Sequence, residues 1–487
     1  MFSKIKHFLL TNQSPKQTVL KNTVWLFTGE LISRLLKFFL VIYAARILGA
    51  AQWGVFSYVL SFLALFGIFS DFGFNTLITR EIARNKEENK ASYLSTVFAL
   101  KMLCTVVAAI LLFFVGPLLS NIPEVKNVIV IIALFFFFES LREFGIALNR
   151  AFERMEREAV VNVLTNFSIS ILGLLFIWRY PSVKNLSIAY LIGTIIGLVC
   201  IIYLLRFHLK GILKNFSKNL IRPIMQYAWP FAILSLSGNI MTNTDLLMLG
   251  WFKGSEDIGL YSVAQRLTQF LYIIPAILSV ALFPSFSKLA QESRERFNGI
   301  FNKIIHFLFI LGVPIVAGGI LLSTDIILLA FGYEYQAAGV TFGILLVMTI
   351  INFSSTILAN AVVAYNQQQT FLRYTLFAVT LNVLLNLLLI PLMGINGAAV
   401  ATVVSNGIGT GLIFYFFLKK NKFIFLLPLR NICISTVIML LCITVLKFSN
   451  VSVMIIVPLS IIVYGSILYL LKDSLITYLF LQKTPRE

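Results

Sequence analysis

Glu30, Arg34 and Lys37 sit in the stretch "ELISRLLKFFLVIYAARILGAAQWG", residues 30–54, among Leu, Ile, Phe and Val. A charge at the centre of a membrane helix costs about 2.5–3.5 kcal/mol on insertion scales. On a helix the three positions fall within about 60° of one another, so they share one face. That face cannot meet lipid. It lines a water-filled cavity or meets partners on neighbouring helices. Glu30 and Arg34 are four apart and can pair along the helix, which leaves Lys37 without a local partner. The chemistry on offer is anion binding: Arg34 and Lys37 are cationic hydrogen-bond donors where water is scarce, suited to a diphosphate. The competing reading is an interhelical ion pair that fixes packing.

Other charges stand in apolar runs. Arg266 has Gln269 on the same helical face and reads as a second substrate cation. Arg142 has Glu139 three residues before it and Glu143 directly after, so a local network competes with substrate contact. The acidic candidates for cavity or coupling roles, besides Glu30, are Asp71, just before "FGF", and Asp245, near Asn239 and Asn243. A buried carboxylate can exchange a proton or accept sodium, or simply satisfy an Arg. Asp71 reads as structural, and for Asp245 both readings stand. No residue reads as catalytic. Cys104, Cys200, Cys433 and Cys442 all fall in apolar runs without metal spacing. His7, His208 and His306 flank membrane segments on their basic side and read as interfacial, so no metal site is expected. "ERMERE" (153–158) and "NQQQ" (366–369) read as solvated loop ends. Trp229-Pro230 predicts a helix irregularity.

The elements that must position these residues are membrane helices. Of 487 residues, 59% are hydrophobic and 12% charged, where soluble domains carry about 25% charge. The fold class is all-α integral membrane. A span needs roughly 20 apolar residues, and about 14 such runs occur: near 20–45, 54–79, 92–119, 127–149, 159–179, 186–206, 224–251, 258–286, 299–322, 337–364, 370–391, 394–418, 430–447 and 451–472. The net charge of +19 does not imply nucleic acid, because the Lys and Arg cluster between apolar runs. Roughly 28 of them fall on the side of the termini and even-numbered loops, and roughly 6 on the other, which predicts cytoplasmic ends in a plasma (inner) membrane. No removable signal peptide is expected, and "MFSKIKHFLL" reads as a short interfacial helix.

An internal repeat organises the spans. "GAAQWGVFSYVLSF" (49–62) matches "GSEDIGLYSVAQRL" (254–267) at an offset of 205 residues, with Gly49, Gly54 and Ser57 on Gly254, Gly259 and Ser262. Both copies join an outward span to an inward one, so the repeats are parallel. The division that follows is a cytoplasmic or interfacial N-terminus (1–19), an N-lobe of six spans (20–206), a cytoplasmic linker (207–221) and a C-lobe of six spans (222–418). Two further spans (430–472) and a cytoplasmic tail (473–487) complete it.

The chain resembles a polysaccharide flippase of the Wzx type, in the multidrug/oligosaccharidyl-lipid/polysaccharide exporter superfamily. The resemblance rests on "AARILGAAQWGVFSY" (44–58), "DFGFNTLITREIAR" (71–84), "DLLMLGWFKGSEDIGLYSVAQRL" (245–267) and "GINGAAVATVVSNG" (394–407). It implies two six-helix lobes around a central cavity, working by alternating access. It implies a lipid-linked oligosaccharide on a polyprenyl diphosphate as substrate, turned to the outer leaflet for surface polysaccharide such as O-antigen. The facing lobes would bring Lys37 and Arg266 together. In related lipid II flippases the two extra helices form a groove for the lipid tail. Membrane lipid and polysaccharide-assembly proteins are the candidate partners. No cofactor is expected, since no P-loop or other nucleotide motif occurs; a proton or sodium gradient or the membrane potential is the energy source.

Three other functions compete. A cation-coupled multidrug exporter of the same superfamily has twelve spans as a rule and favours an acidic cavity. A membrane polysaccharide polymerase or ligase needs a long loop or a carboxylate or His cluster, and the loops here are short. A non-transporting scaffold leaves the intramembrane cations unexplained.

Overall fold

In a computed structural model the chain is described over residues 15–84, 90–206, 215–425, 428–473 and 475. No strand occurs among these residues. The expected interfacial segment at 1–10, most of the 207–221 linker and nearly all of the tail lie outside them, as do His7 and His208. Fifteen helices follow in order: α1 (Pro15–Asp71), α2 (Phe74–Arg84), α3 (Lys90–Val115), α4 (Val125–Ala151), α5 (Met155–Arg179), α6 (Val183–Leu205), α7 (Ile221–Phe252), α8 (Ser255–Leu271), α9 (Ile273–Glu292), α10 (Arg294–Leu321), α11 (Ser323–Phe331), α12 (Ala338–Ala364), α13 (Gln368–Asn421), α14 (Leu429–Phe448) and α15 (Val453–Leu470).

Nine of the described helices are long and apolar enough to cross a membrane. Two of them, α1 and α13, hold one non-helical residue each and so two spans each, broken at Gly49 (φ 76°) and Gly394 (φ 56°). Glycine has no Cβ to oppose a left-handed φ, so one residue does the work of the loop expected there. With α4, α7 and the α8–α9 pair, the described helices supply the fourteen expected spans. The eighth span is not one helix. Pro275 has no N–H for the carbonyl of Leu271 and its ring crowds that carbonyl, so α8 ends at Leu271 and α9 begins at Ile273. Trp229-Pro230, where an irregularity is expected, lies within the span of α7. One missing N–H leaves the neighbouring backbone bonds to carry that helix.

The chain divides into two compact units, Met1–Gly259 and Leu260–Glu487. In the first, α1 packs on α5 and α7, and α6 packs on α4 and α5. Its inner apolar core joins Phe74, Leu77, Phe144, Leu148, Leu205 and Ala228. In the second, α12 packs on α9, α10 and α13. Its core is aromatic, with Phe286, Phe297, Phe301, Phe417 and Phe423 in contact. The last two helices, α14 and α15, pack on each other, and α14 packs on α10. Tyr464 of α15 donates to the carbonyl of Ile310 at 2.8 Å.

The repeat is visible as a contact inside the first unit. A Cβ on Gly54 would lie 1.7 Å from the carbonyl oxygen of Ser255. One on Gly259 would lie 2.0 Å from the carbonyl oxygen of Ala50. The offset of 205 relates Gly54 to Gly259 and Ala50 to Ser255, so the two approaches are the same contact seen from both sides. Both repeat copies keep glycine there because backbone meets backbone. Gly54→Ala is therefore expected to lower thermal stability in detergent by about 1–3 kcal/mol through overpacking. Gly67→Ala is the control: its Cβ meets nothing within 4 Å, and stability should hold or rise. Equal melting of both variants would dissolve this reading of the contact.

Candidate functional site

The first half of α1 shows two exposed strips on opposite sides. Ile32, Leu35 and Phe39 form one, with 39%, 36% and 66% of their surface exposed. Glu30, Arg34 and Lys37 lie on the other, half a helical turn away. One face between them is buried and carries Ser33 and Leu40. Gly29 approaches Ala159, Ser170 donates to the Leu36 carbonyl at 3.3 Å, and Leu40 fills the space beside Gly173, all on α5. The apolar strip suits lipid. The charged strip does not.

Within the strip the three charges differ. Arg34 donates through Nε to Glu30 Oε1 at 2.7 Å. Lys37 makes no hydrogen bond or ion pair among the described residues. It is exposed, yet it lies deep in the protein, with Glu139, Arg142, Glu30 and Glu143 as the charges that act on it.

Arg142 on α4 is in the opposite condition. Its side chain is buried. Nε donates to Glu139 Oε2 at 2.8 Å, and Nη2 donates to Glu139 Oε1 and Glu143 Oε1, each at 2.6 Å. Nη1 donates to Asn162 Oδ1 on α5 at 2.7 Å. Two carboxylates and an amide occupy the guanidinium fork. At the C-terminal end of α4, Arg150 pairs with Glu158 at 2.8 and 2.5 Å, and Lys21 pairs with Glu156 at 3.0 Å. These bonds tie α4 and α1 to α5. Sequence reading left Lys21 and Arg150 unassigned and took "ERMERE" (153–158) as a solvated loop end; instead Glu156 and Glu158 lie in α5, Glu158 is buried, and both are ion-paired. The run of alternating charge at 150–158, with Lys21, works as an anchor for three helices.

Asp71 closes a second group. Its Oδ1 accepts from the Asn75 N–H and from Lys101 Nζ, both at 3.2 Å. It thereby caps α2 after the left-handed pair Phe72 (φ 43°) and Gly73 (φ 83°). Lys101 is buried and was missed in the sequence, although it is the one charge inside α3's apolar run. Next to it, Ser70, Thr105 and Ser140 bond one another in a buried hydroxyl ring, with Thr105 at 2.9 Å from Ser70 and 3.0 Å from Ser140.

The remaining candidates stand elsewhere. Asp245 is buried on α7. Asn243 on the same helix donates to the Asn239 carbonyl at 3.0 Å, while Thr242 and Thr244 bond back to Gly238 and Ile240. Arg266 and Gln269 belong to the second unit, half-buried on α8. His306 is not interfacial in the expected sense: it is buried on α10, its Nε2 3.5 Å from Asp473 Oδ2. The four cysteines are free thiols.

Thus the first unit brings together Arg34, Lys37 and Arg142 with Glu30, Glu139 and Glu143. Sequence reading weighed Glu139 and Glu143 only as neighbours of Arg142, and their bearing on Lys37 crosses from α4 to α1.

Comparison with known proteins adds a second line. The family described as polysaccharide biosynthesis protein matches residues 19–290, and the family described as MatE matches residues 230–388. The chain is similar to a probable low-salt glycan biosynthesis flippase, Agl15, of Haloferax volcanii, with 25% identity over 80% of this chain and 81% of the relative. It is similar to a putative O-antigen transporter of Shigella flexneri, with 24% identity over 66% of this chain and 78% of the relative. Among solved structures it matches the lipid II flippase MurJ in an inward closed conformation. That match has a TM-score of 0.77 and 19% identity, and covers 93% of this chain and 100% of the other. The fold is therefore shared along nearly the whole chain.

Proposed function

We propose a function from one premise: the chain belongs to the polysaccharide biosynthesis protein family. It is a multi-pass membrane transporter that turns a polyprenyl-diphosphate-linked oligosaccharide from the cytoplasmic to the outer leaflet by alternating access. The product feeds surface polysaccharide assembly. The names borne by its relatives, a glycan biosynthesis flippase and an O-antigen transporter, support this reading.

The observation that carries it is Lys37. An ammonium exposed in a cleft at membrane depth, without an ion pair among the described residues, is a standing site for an anion. The diphosphate is the one strongly anionic part of such a substrate. Arg34 adds a second donor: its contact with Glu30 lies on the exposed strip, and a phosphate can replace the carboxylate there. Arg142 already spends its fork on Glu139, Glu143 and Asn162, so it holds those carboxylates in place rather than the substrate. No catalytic step is involved. The distribution of Lys and Arg favours cytoplasmic ends in the plasma membrane.

Deletion of the gene tests the reading directly. Lipid-linked oligosaccharide is expected to accumulate on the inner leaflet, with surface glycan lost and restored by the intact chain. A deletion strain with full surface glycan would remove the proposal. The match of residues 230–388 to the MatE family favours a second reading, a cation-coupled multidrug exporter. Altered drug tolerance with unaltered glycan in the same strain would select it.

A further inference from the structure

We propose that Glu143 is the proton-exchange group of this site, and that its charge decides whether Lys37 is open to an anion. The inference rests on the reading that a phosphate-bearing head group is held at Lys37 and Arg34.

Arg142 serves its two carboxylates unequally. Glu139 accepts through both oxygens, from Nε and from Nη2, in an end-on pair. Glu143 accepts through one oxygen only, from Nη2, and leaves the other uncommitted to this arginine. Glu143 is also the more open of the two, 42% exposed against 33%. A proton can reach Glu143 from cleft water without disturbing the Arg142–Glu139 pair.

The charges around it then decide what that proton does. Glu143 faces Arg142, Glu139 and Arg150 from its own helix, Glu158 from α5, Lys101 from α3 and Lys37 from α1. Most of these are answered in pairs. Arg142 is matched by Glu139, Arg150 by Glu158 and Lys101 by Asp71. On the cleft strip Arg34 is matched by Glu30. Among the described residues this leaves Glu143, the second carboxylate on Arg142, and Lys37. While Glu143 is ionised, its charge adds to that of Glu139 in offsetting Lys37, and an arriving anion adds further negative charge where the dielectric is low. When Glu143 takes up a proton, its carboxylate becomes a neutral carboxylic acid and no other bond changes. Lys37 is then less offset, and an anion restores the balance. Protonation of Glu143 and anion binding therefore promote each other, and linkage makes the effect reciprocal.

The test uses the detergent-solubilised full chain and a short isoprenoid diphosphate as probe. Calorimetry in buffers of different ionisation enthalpy reads the protons taken up on binding. The wild-type chain should take up about one proton more than Glu143→Gln, the count for one titrating group. Its affinity should weaken with rising pH by at least about five-fold more than that of the variant, the low end of ordinary coupling. The probe's own titration is common to both and drops out of the difference. Glutamine keeps an acceptor for Arg142 Nη2, so the fold should hold. If Glu143→Gln does not fold, Glu143→Asp serves: its shorter carboxyl withdraws from Arg142 and must move the pH of half-maximal uptake. Proton uptake unchanged in Glu143→Gln, or an unmoved pH in Glu143→Asp, overturns the proposal and leaves the functional reading intact. Probe binding unchanged in Lys37→Met overturns the functional reading itself.

Discussion

Lys37→Met is expected to cut surface glycan export by roughly ten- to hundred-fold, the loss of one hydrogen bond to a charged group, while the protein reaches the membrane in normal amount. The two halves of that expectation have separate causes. Stability should hold because Lys37 is exposed and makes no ion pair among the described residues, so methionine breaks no bond there and keeps most of the stem. Export should fail because the diphosphate loses the cation that was not already engaged. Lys37→Arg should restore a large part of the activity, since the charge returns and a fork also suits phosphate. Arg34→Met should fall between, because it strands Glu30 as well as removing a donor. Immunodetection of the variant in membranes, beside quantified surface glycan, checks both halves. Full export from Lys37→Met at normal abundance would reduce the three charges on α1 to a packing device.

The sequence made Lys37 conspicuous for a physical reason: a bilayer penalises charge, so each intramembrane charge stands out against its apolar surroundings. The same reason made the spans and their number legible. Gly49 and Gly394 were readable as turn residues, but not as one-residue turns within otherwise continuous helix. The break at Tyr272 was overlooked although Pro275 marks it, because the apolar run continues through it unchanged. The partners were out of reach. Glu139 and Glu143 bear on Lys37 across about a hundred residues of chain, and pairing at that separation is fixed by packing rather than by local pattern. For the same reason, Lys101 could not be matched to Asp71, nor Lys21 to Glu156, before the helices were assembled. Arg142 shows the intermediate case. Its contact with Glu139 lies within one helical turn and was a named alternative, whereas the bond to Asn162 that completes the fork comes from α5.

Arg142→Met is expected to produce the opposite phenotype to Lys37→Met, loss of the protein itself. The substitution strips the shared donor from Glu139 and Glu143 and one partner from Asn162, in a place where Arg142 is only 7% exposed. Breaking one side of a fully buried ion pair costs about 3–5 kcal/mol; Glu139 and Glu143 keep 33% and 42% of their surface exposed, so the loss here falls toward the lower end of that range. That is a large part of the stability of most folded chains. Abundance in membranes and the melting temperature of any purified material should both drop. The decisive comparison is a rescue. Adding Glu139→Gln and Glu143→Gln to Arg142→Met removes the stranded charges, and replacing both sides of a pair by neutral groups is often close to neutral in free energy. The triple variant should therefore regain most of its abundance. It should still export poorly, because it lacks the carboxylate that sets the charge balance at Lys37. Arg142→Met at wild-type abundance and melting temperature, with export alone lost, would instead move Arg142 from the scaffold into contact with the substrate.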